Sequence, residues 1–319
     1  MNLYITRGEG FLKNCLFDGL AHSYNVTERR YVKPYPEVTG YIIKYFCDQN
    51  QITESVISAA DYLLGIQDPD YGGFPSFYQT EYLYAFDTAQ ILTGLAALYE
   101  KTRQEKYLNA AVQAGRFLVD MQADEGGIVP IFDRQAKEKL LDARTYRIWN
   151  GPLSGLMCKV TEAYAALYRI TKDFQWSRLV QLTADYYEKA AYIECSHPLG
   201  YWLEGLIAAE RFHKVQTIME ENVIPRVQEN GYIPYTHTSG YAYVSGTIQL
   251  GILLCKLGYV DLARQIRDYG RLVQAHSDSG GLFQYARKDG SLDNTIHTEV
   301  NSWGTKYFCE LERMLAEKA

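Results

Sequence analysis

The chain has 319 residues, of which 47% are hydrophobic and 22% charged, enough to build a sizeable core and unlike a disordered or low-complexity protein. A net charge of −6 with no Lys/Arg run argues against a nucleic-acid partner, and no apolar stretch approaches the roughly 20 residues of a membrane span. The opening MNLYITRGEGFLKN lacks the basic-then-apolar order of a signal peptide, so the cytoplasm is the expected location.

Apolar periodicity predicts helices of two alternating kinds along the chain. The first, EGFLKNCLFDGLAHSY (9–24), reads as an outer helix. After a loop comes PEVTGYIIKYFCDQ from residue 36, the first of six strongly apolar inner segments; the others begin near 86, 151, 198, 242 and 298. Each inner segment carries a glycine near its start, in order Gly40, Gly94, Gly155, Gly205, Gly246 and Gly304, where alanine would favour the helix by about 1 kcal/mol. Close approach of neighbouring helices around a crowded axis explains that choice.

Each of the first five inner segments is followed within two to four residues by an amphipathic partner: ITESVISAADYLLGIQ, QEKYLNAAVQAGRFLVDMQ, FQWSRLVQLTADYYEKAAYI, RFHKVQTIMEENVIPRVQ and YVDLARQIRDYGRLVQAH. The long loops that return to the next inner segment also repeat, as QDPDYGGFPSF, MQADEGGIVPIF, VQENGYIPYTHT and AHSDSGGLFQYA. Long loops therefore gather on one face, above the amino ends of the inner helices, and the last inner helix is free to pair with the first outer one. No linker-like shift in composition interrupts residues 1–319, which points to one domain. Cys47, Cys158, Cys255 and Cys309 fall in apolar helical runs and read as small core residues, and neither they nor Cys15 and Cys195 show metal-type spacing.

The hairpin order, the Gly-Gly loops, YPEVTGY (35–41) and FDTAQILTGLAALYE (86–100) resemble the α/α-toroid proteins: six-hairpin glycosidases, polysaccharide lyases, sugar epimerases and, more distantly, terpene cyclases and protein prenyltransferases. Within that group the chain resembles uncharacterised toroid proteins of bacterial polysaccharide synthesis. The resemblance covers essentially the whole chain and implies an all-α (α/α)6 toroid of six helical hairpins. It transfers no catalytic assignment, because the fold hosts unrelated reactions. The absence of DxDD, DDxxD and a zinc-type Asp/Cys/His trio counts against a terpenoid or prenyl enzyme.

If inner-helix amino ends line a central cleft, the residues there suit a sugar, which needs aromatic faces against its C–H surfaces and carboxylates or amides on its hydroxyls. The richness in Tyr, 28 residues, fits that use. The expected catalytic groups are Glu37, Asp87, Glu299 and His297. Paired carboxyls supply acid and base for glycoside hydrolysis, and an imidazole serves an epimerase or lyase. The expected substrate contacts are Tyr35, Arg144, Arg147, Trp149, Asn150, His197, Tyr201, Trp202, Tyr241, Tyr243, Asn301 and Trp303, with Arg144 or Arg147 suited to a uronate or phosphate.

Structural alternatives stand beside these roles: Asp87 and Glu299 as helix caps, an Asp142 tie to Arg144 or Arg147 ordering the long loop, and hydrogen-bonded loop histidines. His22, His213 and His276 read as solvated outer-helix residues, and His237 as a loop residue. No cofactor or metal is expected, nor a nucleotide fingerprint. The expected partner is an oligosaccharide or polysaccharide, hydrolysed, eliminated or epimerised. The alternatives are a non-catalytic glycan-binding scaffold and, behind it, the terpenoid or prenyl enzyme.

Overall fold

The computed structural model describes residues 2–76, 80–140, 155–296 and 298–318. Six inner helices, α2 (Pro36–Asp48), α4 (Ala85–Thr102), α6 (Val160–Thr171), α8 (Ser196–Ala208), α10 (Val244–Lys256) and α12 (Ser302–Glu317), pack side by side in that order, and α12 closes the ring against α2. Outside them lie α1 (Leu3–Cys15), α3 (Glu54–Ile66), α5 (Glu105–Asp120), α7 (Phe174–Tyr187), α9 (Phe212–Ile218) and α11 (Val260–Ala275). Each outer helix packs mainly on one inner helix, α1 on α12 and the others on the inner helix just before them in the chain, and α3, α5, α7 and α11 also touch the next inner helix. This is the expected (α/α)6 toroid. Among the described residues no helix is long and apolar enough to cross a membrane.

The inner-helix glycines allow the crowding. A Cβ on Gly94 would sit 2.5 Å from the carbonyl oxygen of Gly40, and one on Gly246 would sit 2.6 Å from the backbone nitrogen of His197. Gly205 lies against the backbone of Cys158 and Lys159 in the 3-10 turn (Gly155–Lys159) that leads into α6. Gly304 differs: the nearest atom to an added Cβ is Oδ1 of Asn301, which caps its own helix α12.

The long loops repeat a second device. Gly72, Gly126, Gly231 and Gly280 all have positive φ, and an added Cβ on each would meet the backbone of an outer helix: α5, α7, α11 and α1 respectively. The loop after α11 thus lands on the first helix, which ties the two ends of the chain together. Short turns use a left-handed residue instead, Asn50, Arg103, Lys172, Glu210 and Gly258 in the five inner-to-outer connections.

Three sequence expectations change. The segment 9–24 is not one helix: α1 ends at Cys15, and Asp18 and Gly19 turn a hairpin in which Phe17 pairs with Leu20. Asp-Gly between short apolar pairs is a strong hairpin signal, and it overrides the helical periodicity there. His22 therefore lies on a strand, its ring stacked 4.0 Å from Phe17, instead of on an outer helix. His213 does fall on α9 and His276 caps α11, both exposed.

The outer segment 211–228 is regular only to Ile218 and then passes through π and 3-10 turns. Pro225, lacking an N–H, breaks the α-helical ladder. The long loops also form short strands unseen in the sequence. Strands 20–25, 282–283 and 299–301 join in one sheet with Val300 opposite both Tyr24 and Phe283, so the first and last loops pair above the ring.

Candidate active site

Four inner helices present a matching pair of residues to the axis, their second and sixth: Glu37 and Tyr41 on α2, Phe86 and Gln90 on α4, His197 and Tyr201 on α8, Trp303 and Tyr307 on α12, whereas the same positions of α10, Ser245 and Gln249, face His197. Residues four apart share one helix face, so this stripe follows from helical geometry. Glu37, Tyr41, Phe86, His197, Tyr201 and Trp303 of this stripe, with Tyr35, Val38, Asp87, Leu156, Tyr243, Gln284 and Tyr285, enclose a cavity of about 420 Å³ at the amino ends of the inner helices.

The cavity walls are rings set edge to face. Tyr35 meets Trp303 at 5.3 Å and 75°, Phe86 meets Tyr201 at 5.0 Å and 67°, and Tyr243 meets Tyr285 at 4.8 Å and 79°. The Gln284 amide donates to the Tyr243 hydroxyl at 3.2 Å. Such walls offer flat apolar faces with polar edges, which suits a sugar ring.

Two carboxyls enter this space from the first turns of adjacent helices, Glu37 from α2 and Asp87 from α4. Both carboxyls also meet first-turn backbone N–H groups, Glu37 those of Glu37 and Val38 and Asp87 its own, so they complement their helix starts as well as entering the cavity. Burial raises Glu37 well above the usual carboxylate range, and the charge on Asp87 raises it further, against the backbone N–H groups of Glu37 and Val38. Burial pushes Asp87 up to about 7. Two neighbouring carboxyls that resist ionising together titrate as a pair, one giving up its proton before the other.

His197 lies on α8, diametrically opposite α2 in the ring order. Its ring stacks on Tyr243 at 4.6 Å and 14° and tilts against Tyr201 at 4.5 Å. Burial drops its pKa to about 3, with the Lys159 cation acting in the same direction, so the imidazole is neutral at physiological pH.

Of the sequence-predicted residues, Glu37, Asp87, Tyr35, His197, Tyr201, Tyr243 and Trp303 meet in the cavity. Others do not. Trp202 is turned outward into the core, its indole N–H donating to the Tyr187 carbonyl at 3.0 Å, because successive helical residues lie 100° apart and it cannot share the face of Tyr201. Asn301 is the N-cap of α12, accepting from the Gly304 N–H at 2.8 Å. Tyr241 sits outside the cavity lining, packed edge-on to Tyr285 at 5.3 Å. Arg144, Arg147, Trp149, Asn150 and His297 lie outside the described residues.

Glu299 belongs to the strand 299–301 and pairs with Lys33 instead of lining the cavity. Its side chain is buried, so removing the cation leaves an uncompensated charge. Lys33→Met is expected to cost about 1–3 kcal/mol, discounted for the partial exposure of the lysine, and adding Glu299→Gln should recover most of it. Denaturant melts of both proteins check this; a double variant no more stable than the single one would return Glu299 to the site.

Sequence reading missed Tyr41, Phe86, Gln284 and Tyr285. Tyr41 follows from Glu37 by the four-residue spacing, and Phe86 precedes Asp87 at the helix start. Nothing local marks Gln284 and Tyr285, which come from the loop after α11.

No family model matches the chain, and no curated protein is similar to it in sequence. Solved structures are similar in fold. A cellobiose 2-epimerase from Spirochaeta thermophila superposes with a TM-score of 0.74 at 15% identity, covering 98% of this chain and 97% of that one. This chain shares the (α/α)6 toroid fold of these structures. A D-mannose isomerase (TM-score 0.73, 10% identity, 99% and 97% covered) and an unsaturated glucuronyl hydrolase specific for heparin (0.70, 12%, 99% and 96%) have the same architecture over their whole length.

Proposed function

We propose that this toroid is a carbohydrate-active enzyme that carries out acid-base chemistry on an oligosaccharide of a polysaccharide pathway, held in the aromatic cavity. The observation that carries the reading is the Glu37 and Asp87 pair: two carboxyls on adjacent inner helices, both raised, beneath a wall of Tyr and Trp rings. A carboxyl that stays protonated near pH 7 donates to a leaving or ring oxygen, while its ionised neighbour activates water or takes the proton back. Hydrolysis of a glycosidic bond is the simplest reaction for such a pair.

A second reading, epimerisation or isomerisation, is favoured by His197. A neutral imidazole facing the acid pair from across the ring supplies a second proton acceptor on the far side of a bound sugar. Similarly folded proteins act on cellobiose, mannose and unsaturated glucuronides, which supports a sugar substrate for either reaction.

The test is a panel of neutral and uronate oligosaccharides incubated with the wild type, Glu37→Gln and Asp87→Asn, with products separated and anomers or epimers assigned. At least one variant is expected to lose roughly 10²–10⁴ in turnover while still binding. Full activity in both variants, or wild-type binding without any product, would replace this reading with that of a glycan-binding scaffold.

A further inference from the structure

Behind His197 runs a line of polar side chains with no place in the acid-pair chemistry. Its Nδ1 faces Oε1 of Gln249, with the Ser245 hydroxyl 3.3 Å away. The Gln249 amide nitrogen donates to Oε2 of Glu204 at 3.1 Å. Lys159 donates to the same oxygen at 2.6 Å and to Glu162 at 2.7 Å. His197, Ser245, Gln249, Glu204 and Lys159 are all buried.

The direction of every bond in this line is forced from its far end. Oε2 of Glu204, which takes a hydrogen bond from the buried Lys159 ammonium at 2.6 Å, accepts from Gln249 as well. Gln249 must therefore turn its NH2 toward Glu204 and its oxygen toward His197, since the flipped amide would set two acceptors against each other in a buried site. An amide oxygen also only accepts, so the ring nitrogen facing it must carry the hydrogen. Gly200 makes room for this arrangement: a Cβ there would lie 3.1 to 3.2 Å from the Cβ, Cδ and Oε1 of Gln249.

We infer that Gln249, Glu204 and Lys159 are positioning residues that lock His197 into its Nδ1–H tautomer, which leaves Nε2 as the acceptor nitrogen of the ring. The role of Nε2 toward a sugar rests on the proposed function; the tautomer does not. A histidine left to itself in water prefers the other tautomer modestly and samples both, whereas here one buried carboxylate, read through one amide, selects between them.

The experiment is nitrogen-15 NMR of histidine-labelled full-length protein at neutral pH, with the His197 signals assigned by their loss in His197→Gln. The wild type is expected to show a protonated, pyrrole-type Nδ1 and an unprotonated, pyridine-type Nε2. Glu204→Gln frees the Gln249 amide to flip, and Gln249→Met removes the acceptor; both are expected to mix or invert the two signals. On an identified substrate both should lower kcat roughly tenfold or more with little change in KM.

A wild-type ring protonated on Nε2, or tautomer signals unchanged in two folded variants, overturns the inference whatever the protein does to sugars. The expected tautomer in a protein that turns over no oligosaccharide upholds the lock and removes only the proposed function.

Discussion

At about pH 8 the Asp87→Asn protein is expected to melt several degrees above the wild type, with the advantage shrinking as the pH falls toward about 4. The sign follows from the raised carboxyl. An Asp in the unfolded chain ionises near 3.8, whereas burial holds Asp87 protonated to about 7 in the fold. Between those values the folded state binds more protons than the unfolded one, so stability falls as pH rises through the window and the whole penalty is present above it. Glu37, also raised, adds a penalty of the same sign.

Holding a carboxyl protonated from 3.8 up to about 7 corresponds to a penalty of about 4 kcal/mol once it ionises. Sharing of one proton between the two carboxyls, together with the cost of burying an amide, reduces the expected gain to about 2–3 kcal/mol. The same substitution removes an acid or base from the cavity, so stability should rise where turnover collapses. Melting curves at three pH values suffice. A wild type as stable as Asp87→Asn at pH 8 would mean that the carboxylate sits comfortably ionised, and the acid-base pairing would fall with it. Where a substrate is found, turnover should be bell-shaped in pH, lost on the acid side when both carboxyls are protonated and on the alkaline side when both are ionised.

Gly205→Ala is expected to cost about 3 kcal/mol or more, whereas Gly10→Ala should stabilise by roughly 0.5–1 kcal/mol. The chemistry of the two changes is identical. On α8 the added methyl runs into the backbone of Cys158 and Lys159, which cannot rotate away as a side chain would, so the ring must expand between α8 and α6. On α1 nothing lies within 4 Å of the added carbon, and the loss of unfolded-chain entropy is the whole effect. Chemical denaturation of both proteins measures the pair. Equal effects of one sign would show that the inner ring is loose enough to absorb a methyl and that the glycine pattern has another cause.

That pattern was legible beforehand because it is local. An apolar stripe at helical spacing, a glycine near the start of each inner segment and a Gly-Gly loop before the next are all properties of short stretches of chain, and together they specify twelve helices in alternating layers. Placing Glu37, Asp87 and His197 at inner-helix amino ends followed in the same way. Two of the failures were themselves local. Asp18-Gly19 was a local hairpin signal outweighed by periodicity, and Trp202 was assigned to the face of its neighbour Tyr201 although adjacent helical residues point 100° apart.

The amino-acid sequence by itself therefore determined the helical hairpins, their order and the face of the molecule on which the cavity opens. Only the tertiary structure decided which groups meet there: that α12 closes on α2, that Glu37 and Asp87 oppose each other's charge, that Glu299 turns to Lys33, and that a glutamate on α8 orients a glutamine on α10 and through it the ring of His197. Helical periodicity is written in residues three or four apart, but a raised carboxyl or a fixed tautomer arises from residues tens to hundreds of positions apart, brought together where water is excluded and each remaining polar group must find its partner.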